Sequence, residues 1–299
     1  MLDHLSKPAS VYLELLGKEQ ALKLISLFAE IEAGKYAKEE VHELRLKGFP
    51  HPLFLRAIRA DMQSFINTFI DPYLEKKAYL PVAGTVIDAG ANIGYTAVLF
   101  ASWWPQSTII SIEPDRENYE LVLRNTRAYP NIHVVQAALW NKEAELSIEA
   151  GQEDGFVVRE SAGRKLKAEN RAKGISLPKL LKRFGKSRID FLKLNVEGSE
   201  KEIFSEGYES WLPETRAMLV ELHDGKNPGC SSAVFSAVQH FRFAVAETAA
   251  YGILFVKEPV YRSWYAEWYR ESVYRPNINK ERFPQCYLDG FDSAQPPAS

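Results

Sequence analysis

Two cysteines in 299 residues, Cys230 and Cys286, are too few for a disulfide framework and lie at no metal-ligand spacing. Their scarcity implies a reducing, cytoplasmic compartment. A basic surplus is also missing. Lys and Arg number 37 against 39 Asp and Glu, a formal net charge of −2. That excludes a general nucleic-acid binder, though not a local basic patch. No uninterrupted apolar run approaches the ~18 residues of a membrane span. Met1-Leu2-Asp3-His4 opens without the basic stretch and apolar core of a secretory leader. No internal repeat is evident. What remains is ordinary for a globular chain, with 46% hydrophobic and 25% charged residues. The length suits one large domain with additions, or two small ones.

Against that background one stretch stands out: Val86-Ile87-Asp88-Ala89-Gly90-Ala91-Asn92-Ile93-Gly94-Tyr95-Thr96. A short apolar run ends in a carboxylate, a Gly-x-x-x-Gly turn follows, and residues 95–104 read as a helix. Nineteen residues past Gly94, the run Ile109-Ile110-Ser111-Ile112 ends in Glu113-Pro114. Strand, glycine turn, helix, strand and acid make the first unit of a nucleotide-binding α/β domain.

The charges narrow the nucleotide. A dinucleotide loop needs Gly-x-Gly-x-x-Gly, but counting from Gly90 the other two positions hold Asn92 and Tyr95. The turn also lacks the Gly-Lys-Ser/Thr of a Walker loop. Asp88 at the strand tip would repel a pyrophosphate and attract a sulfonium or an α-ammonium group. Glu113 can accept hydrogen bonds from both hydroxyls of a ribose. Ribose, ammonium and positive sulfur together describe S-adenosylmethionine. An ordinary strand-to-helix turn, with glycines serving only close packing, is the bland alternative.

Along the rest of the chain, residues 9–33 read as a helix with Val11, Leu15, Leu22, Ile25, Phe28 and Ala29 on one face, stopping at Gly34. Residues 36–47 read as helix or strand, 53–56 as a short strand, and 61–75 as a helix interrupted at Asp71-Pro72. Strands are expected at 85–88, 108–113, 132–137, 189–194, 217–222, 242–246 and 252–256, with a further one at 143–149. Helices are expected at 116–128, 177–184, 200–204 and 231–241. Residues 150–174, where glycines interleave with charges, read as a mobile insertion over the site or as a long hairpin, with a plain solvated loop as the bland alternative. This order predicts a doubly wound, mostly parallel, seven-stranded Rossmann-like sheet with a helical N-terminal extension. The chain divides on this reading into residues 1–80, 81–258 and an aromatic-rich tail, 259–299. Tyr261, Trp264, Tyr265, Trp268 and Tyr269 of that tail fall at spacings of three and four. They read as an aromatic stripe packed on a core, or as a surface for substrate or membrane.

In an open α/β sheet the ligand lies outside the carboxyl ends of the strands. That rule gathers Asp88, Gly90, Ala91, Asn92, Gly94, Glu113, Pro114, Ala137 and Ala138 as the donor-binding set. It adds Lys193, Asn195 and Glu197 from one strand end, and Glu221, His223 and Asp224 from the next. A central parallel strand should be almost wholly apolar, so Lys193 and Asn195 interrupt theirs. Lys193 therefore needs either a carboxylate, Glu197 or Glu221, or access to the cleft. His223 is a candidate general base oriented by Glu221 or Asp224, and Glu197 is the second candidate.

These segments resemble the FkbM family of S-adenosylmethionine-dependent methyltransferases. The resemblance rests on the stretch from Val86 to Thr96, on Ser111-Ile112-Glu113-Pro114-Asp115, and on Ile189-Asp190-Phe191-Leu192-Lys193-Leu194-Asn195-Val196-Glu197-Gly198 with Glu200. Glu221-Leu222-His223 completes it. Leu55-Arg56 with Asp61 and Phe65 resembles the segment ahead of the family's first core strand. The resemblance implies the methyltransferase variant of the doubly wound fold. It also implies O-methylation of a sugar, glycolipid or secondary metabolite, a hydroxyl-bearing acceptor. The family commonly carries an aspartate where Asn195 stands, so one negative oxygen is missing from the acceptor side. A divalent ion held by Glu197, Glu221 or Asp224 could activate the hydroxyl, but Asn195 weakens that proposal, and a metal is expected not to be essential. Two rivals stay open: an N-methyltransferase of protein or nucleic acid, and a non-catalytic binding protein. The Asn/Asp-Pro-Pro-Tyr sequence of amine methylation is absent, and intact Asp88, Gly90, Gly94 and Glu113 argue against a non-catalytic role. Neither the acceptor nor the oligomeric state has a readable code.

Overall fold

The computed structural model describes residues 9–35, 40–70, 80, 82, 84–150, 156–160, 167, 170–249 and 252–262. The aromatic tail from residue 263 on, and the reading of 71–75 as helix, lie outside them. The described residues form two compact units that divide at Leu80.

In the first unit, helix α1 covers Ala9–Glu32. Gly34, in the left-handed region at φ 67°, follows its end. The buried face differs from the expected one. Tyr12, Leu15 and Leu16 are buried before Gly17, and Ala21, Leu24 and Leu27 after it, while Leu22 is 54% exposed and Ala29 is exposed. The reason is Gly17 itself (φ 72°, ψ 166°), which breaks the helix and resets its phase. Strands β1 (Val41–Leu44) and β2 (Leu53–Arg56) pair antiparallel, so the 36–47 alternatives resolve to strand over the described part. Helix α2 (Arg59–Phe65) runs into a π-helical turn, Ile66–Ile70. The fully buried Asp61 accepts from Arg56 N, Nε and Nη2 at 2.8, 2.9 and 2.7 Å, which satisfies a charge pair in an apolar setting.

The second unit opens with β3 (Thr85–Ala89), α3 (Tyr95–Trp103), β4 (Thr108–Glu113), α4 (Arg116–Thr126) and β5 (Ile132–Gln136). Strands β6 (Ala138–Leu139), β7 (Ala144–Ala150), β8 (Phe156–Glu160) and β9 (Arg171–Ile175) come next. The chain closes with α5 (Leu177–Arg183), β10 (Phe191–Leu194), α6 (Glu200–Ile203), β11 (Ala217–Val220), α7 (Cys230–Val238), β12 (Phe243–Ala249) and β13 (Gly252–Lys257). Seven strands form one sheet in the order β12-β13-β11-β10-β3-β4-β5. Its neighbours from β5 to β11 pair parallel, and β13 runs antiparallel between β11 and β12. The central strands are covered on both faces and almost purely apolar: Ile87, Ala89, Ile110, Ile112, Leu192, Leu194, Met218 and Val220 are all within 1% of complete burial.

The chain winds outward from β3 to β5, then crosses back and resumes at β10 on the other side of β3. That reversal opens a crevice between the carboxyl ends of β3 and β10, where ligands of such sheets bind. Several expected strand limits move: β10 starts at Phe191, with Ile189 in an isolated bridge to Thr215, β11 ends at Val220, and β12 runs on to Ala249. Glu221 and His223 therefore lie in the loop beyond β11. Within residues 150–174, the described stretches 156–160 and 171–174 lie in strands β8 and β9. Strands β8 and β9 both pair antiparallel with β7 in a second sheet, β6-β9-β7-β8. Its own core holds Trp140, Leu146, Ile148, Val158 and Ala172.

Candidate active site

The turn after β3 is shaped by one close approach. A Cβ on Gly90 (φ 75°) would stand 1.7 Å from the Asn195 carbonyl oxygen, so only glycine lets the β3 and β10 tips meet. Gly90 N and Ala91 N both donate to Ile112 O at 3.0 Å, which ties the turn to β4. Asn92 takes a left-handed φ of 51°, and Gly94 (φ 88°) starts α3.

Glu113, at the end of β4, is 4% exposed. Its Oε2 accepts from Asn92 N at 2.8 Å and its Oε1 from Asp115 N at 3.0 Å. Burial pushes its carboxyl up to about 8, against the pull of those two backbone donors. Asp115 in turn caps α4 by accepting from Asn118 N at 2.9 Å.

Beneath the turn, Asp88 is fully buried with Lys193 Nζ 3.1 Å from its Oδ1. Lys193 also donates to Gly90 O at 2.6 Å. This replaces both sequence expectations for the pair. Lys193 finds its carboxylate in Asp88, not in Glu197 or Glu221, because register sets Lys193 directly opposite Asp88 on neighbouring strands. Asp88 spends its charge on that ammonium, and neither of its oxygens has an aligned hydrogen-bond donor. Burial raises its pKa even with Lys193 drawing it down.

A cleft at the strand ends is lined by Gly90, Asn92, Glu113, Pro114, Ala138, Asn195 and Glu197 of the expected residues, with Ile112, Leu139 and Val158 among its apolar walls. Asp88 and Lys193 lie below it. Ala91, Gly94 and Ala137 shape its surroundings without lining it. Asn195 Oδ1 has no hydrogen-bond partner and is an acceptor left open beside the cleft. An acid beside a backbone turn, an apolar slot and an orphaned acceptor fit a ribose, an adenine and an α-ammonium, the parts of S-adenosylmethionine.

Beside this cleft lies a cluster whose organiser is His223. Its Nδ1 is 2.7 Å from Glu200 Oε1, and its Nε2 is 3.5 Å from Glu197 Oε2 and 3.7 Å from Glu221 Oε1. Burial pulls the imidazole down, but the hydrogen bond and charge of Glu200, joined by Glu197 and Glu221, outweigh it and leave His223 above the ordinary histidine value. Burial raises Glu221 against the pull of His223. Lys226 pairs with Glu197 from the other side. Asp224 turns away: it accepts from Gly229 N and Ser231 N at 3.1 Å and pairs with the Ser231 hydroxyl, ahead of α7.

Glu200, fully buried, is the functional partner that sequence reasoning left without a role. The Glu-Gly-x-Glu spacing was a usable signal, since the turn at Glu197 and Gly198 brings Glu200, the first residue of α6, back under His223. Glu197 (φ 56°) and Gly198 (φ 103°) are both left-handed, a strained pair of the kind found at functional sites. Cys230 is buried, with its thiol pushed up to about 12 by burial and then by Glu200, so it is no nucleophile. Among the described residues, no group of three or more His, Cys, Asp or Glu has the geometry to hold a metal, and no helix is long and apolar enough to cross a membrane.

Strand order, switch-point cleft, glycine turn and terminal acid together define a Rossmann-like S-adenosylmethionine-dependent methyltransferase. The Methyltransferase FkbM domain matches residues 88–247 of the sequence, and the chain belongs to that family. No curated protein matches it. Similar solved structures include precorrin-6y C5,15-methyltransferase from Geobacter metallireducens, at 13% identity over 62% of this chain and 86% of that one, with a TM-score of 0.38. A SAM-dependent methyltransferase from Aquifex aeolicus matches at 15% identity over 64% and 89%, with a TM-score of 0.35. A putative RNA methyltransferase from Pyrococcus horikoshii matches at 10% identity over 80% and 98%, with a TM-score of 0.35. At these scores none of the three informs the acceptor.

Proposed function

We propose that the chain transfers a methyl group from S-adenosylmethionine to a hydroxyl of a sugar, glycolipid or secondary metabolite, working in the cytoplasm. The observation that carries this reading is that the donor cleft and the His223 cluster share Glu197. The donor supplies an electrophilic methyl carbon whose bond to sulfur breaks as the acceptor oxygen attacks in line. Residues 81–258 carry this chemistry, with 1–80 as a helical extension and 259–299 as a tail.

On this reading Glu113 accepts from the ribose hydroxyls and Asn195 Oδ1 from the α-ammonium. Pro114, Ala138 and Leu139 enclose the base. Asp88 and Lys193 act through the turn: Lys193 holds the Gly90 carbonyl, so the pair positions the donor and meets no acceptor. Orientation is the larger part of the rate enhancement, since an aligned oxygen and methyl carbon need no further diffusional search. The acceptor proton goes to Glu197. Glu197 is the one carboxylate of the His223 cluster that lines the donor cleft, which puts it nearest the reacting atoms. His223, held by Glu200, instead steadies Glu197 and Glu221.

A labelled-donor screen against glycans and hydroxylated small molecules tests the reading, and a labelled ether is the expected product. Labelling that appears only on amine nitrogen would overturn it. Calorimetry should show S-adenosylhomocysteine binding that weakens by ~1–3 kcal/mol in Glu113→Ala, which leaves the ribose hydroxyls without their partner. Asn195 in place of an acid argues that no metal is required, so turnover should survive EDTA. Loss on chelation, restored by Mg²⁺, would instead make ligands of Glu197 and Glu221.

A further inference from the structure

The amino ends of the parallel strands, opposite the donor cleft, collect positive charge. Residues 177–189 hold Lys179, Lys182, Arg183, Lys186 and Arg188 and no carboxylate, in a chain of net charge −2. Lys179 is answered by Glu143 at 3.3 Å. From the rest a row runs across the end of the seven-stranded sheet. Beside β5, Arg183 lies over the Phe184 ring, which meets the His133 ring at a centroid distance of 5.5 Å. At the start of β4, Lys186 Nζ donates to Thr108 Oγ1 at 2.9 Å. Ahead of β10 and β11, Arg188 and Arg216 lie 3.4 and 3.3 Å from Asp190 Oδ1. At the end of β13, Lys257 N donates to the Arg216 carbonyl at 2.8 Å, and the Lys257 ammonium sits 4.8 Å from the Phe243 ring centroid. Ahead of β12, Arg242 shares Glu258 with Arg262, both at 2.7 Å.

The acids among these groups do not cancel the row. Asp190 is buried and also accepts from Thr85 N of β3 at 2.9 Å, so one inward-facing carboxylate serves two guanidinium groups. Glu258 is likewise divided between two arginines, whose side chains stay 80% and 78% exposed. Glu214 raises the Lys257 pKa only against a larger lowering by burial.

We propose that this face docks on an anionic phospholipid surface. Strands about 4.8 Å apart spread the row over ~30 Å, a span that suits a planar array of phosphates. A nucleic-acid substrate would instead need its phosphates beside the transferred methyl group, a strand length away at the carboxyl ends, ~13–20 Å for strands of this size. Docking by the amino ends leaves the donor cleft open to solvent. The sequence continues from Arg262 into Trp264, Tyr265, Trp268 and Tyr269, the residue types that seat at a headgroup interface.

The test is co-sedimentation of the full chain with vesicles of phosphatidylcholine alone, and of phosphatidylcholine with about one-third phosphatidylglycerol. Binding should appear on the anionic vesicles only and fade as added salt shortens the screening length. Lys182→Glu with Arg183→Glu should lower the partition coefficient by ~10-fold or more, since each cation near such a surface contributes about five-fold. Calorimetry should find S-adenosylhomocysteine affinity unchanged in that variant. Arg242→Glu with Arg262→Glu, at the other end of the row, gives a second reading should the first pair fail to fold. The proposal is overturned by no binding to anionic vesicles, by equal binding to neutral ones, or by binding indifferent to both pairs. Polyuridylate RNA that binds with this charge dependence while the vesicles do not would also overturn it, making the partner a nucleic acid.

Discussion

At the scale of single residues, the site depends on where three carboxylates stand around one imidazole. Glu200 is buried at 2.7 Å from His223 Nδ1, and Glu197 alone of the three lines the donor cleft. Glu197→Gln should therefore lower kcat by ~10²–10⁴-fold, the usual contribution of a general base, with donor affinity little changed by calorimetry. His223→Gln should raise KM for the acceptor more than it lowers kcat, since it frees Glu197 without removing it. A His223 variant that abolishes turnover and its pH dependence, beside a nearly harmless Glu197→Gln, would return the base to His223. A second residue-scale outcome concerns the buried pair. Lys193→Met should destabilise the protein by ~3–5 kcal/mol in urea titration, because it strands the Asp88 charge. Adding Asp88→Leu to it should recover much of that loss, and two additive losses would mean that the pair is not coupled.

At the scale of elements, the decisive object is the turn between β3 and α3. Gly90→Ala places a methyl group at 1.7 Å from the Asn195 carbonyl, at a φ of 75°. Side chains can move away from such a contact, but two strand tips in one hydrogen-bonded sheet cannot without losing register. The expected result is loss of S-adenosylhomocysteine binding and a fall of more than ~2 kcal/mol in unfolding free energy. A stable, binding-competent Gly90→Ala protein would show that the strand tips lie further apart. The element scale is also where reading by pattern fell short. The 9–33 helix was legible, but its buried face was not. Periodicity assumes one unbroken phase, and the left-handed Gly17 breaks it without leaving a mark in composition.

For the whole molecule, burial of charge gives stability a definite slope with pH. Glu113 has an ordinary value of 4.5 and about 8 in the fold. Between those values the folded state holds more protons than the unfolded one, so raising pH costs stability. His223 acts with the same sign. Its folded pKa lies above 6.5, so its contribution is complete below that value and is lost as pH rises through the higher one. Unfolding free energy measured in urea should therefore decline from pH 5 to pH 9, and the decline should be shallower in Glu113→Gln. A flat or rising profile would mean that both groups titrate as they do in the unfolded chain.

The sequence by itself determined the α/β alternation, the glycine turn and the acid after the second strand. Each of these is local: a tight turn needs glycine, a buried parallel strand needs an apolar run, and both are written within about thirty residues. Only the tertiary structure decided who pairs with whom. Lys193 met Asp88 because β10 lies beside β3 in one register, across 105 residues of chain. Glu200 became the partner of His223 because α6 folds back beneath the loop after β11. Residues 156–160 became a paired strand, and Val158 a wall of the donor cleft, because β7 supplied an edge for β8. Pairing across such separations rests on strand order and register, which no short window of sequence contains.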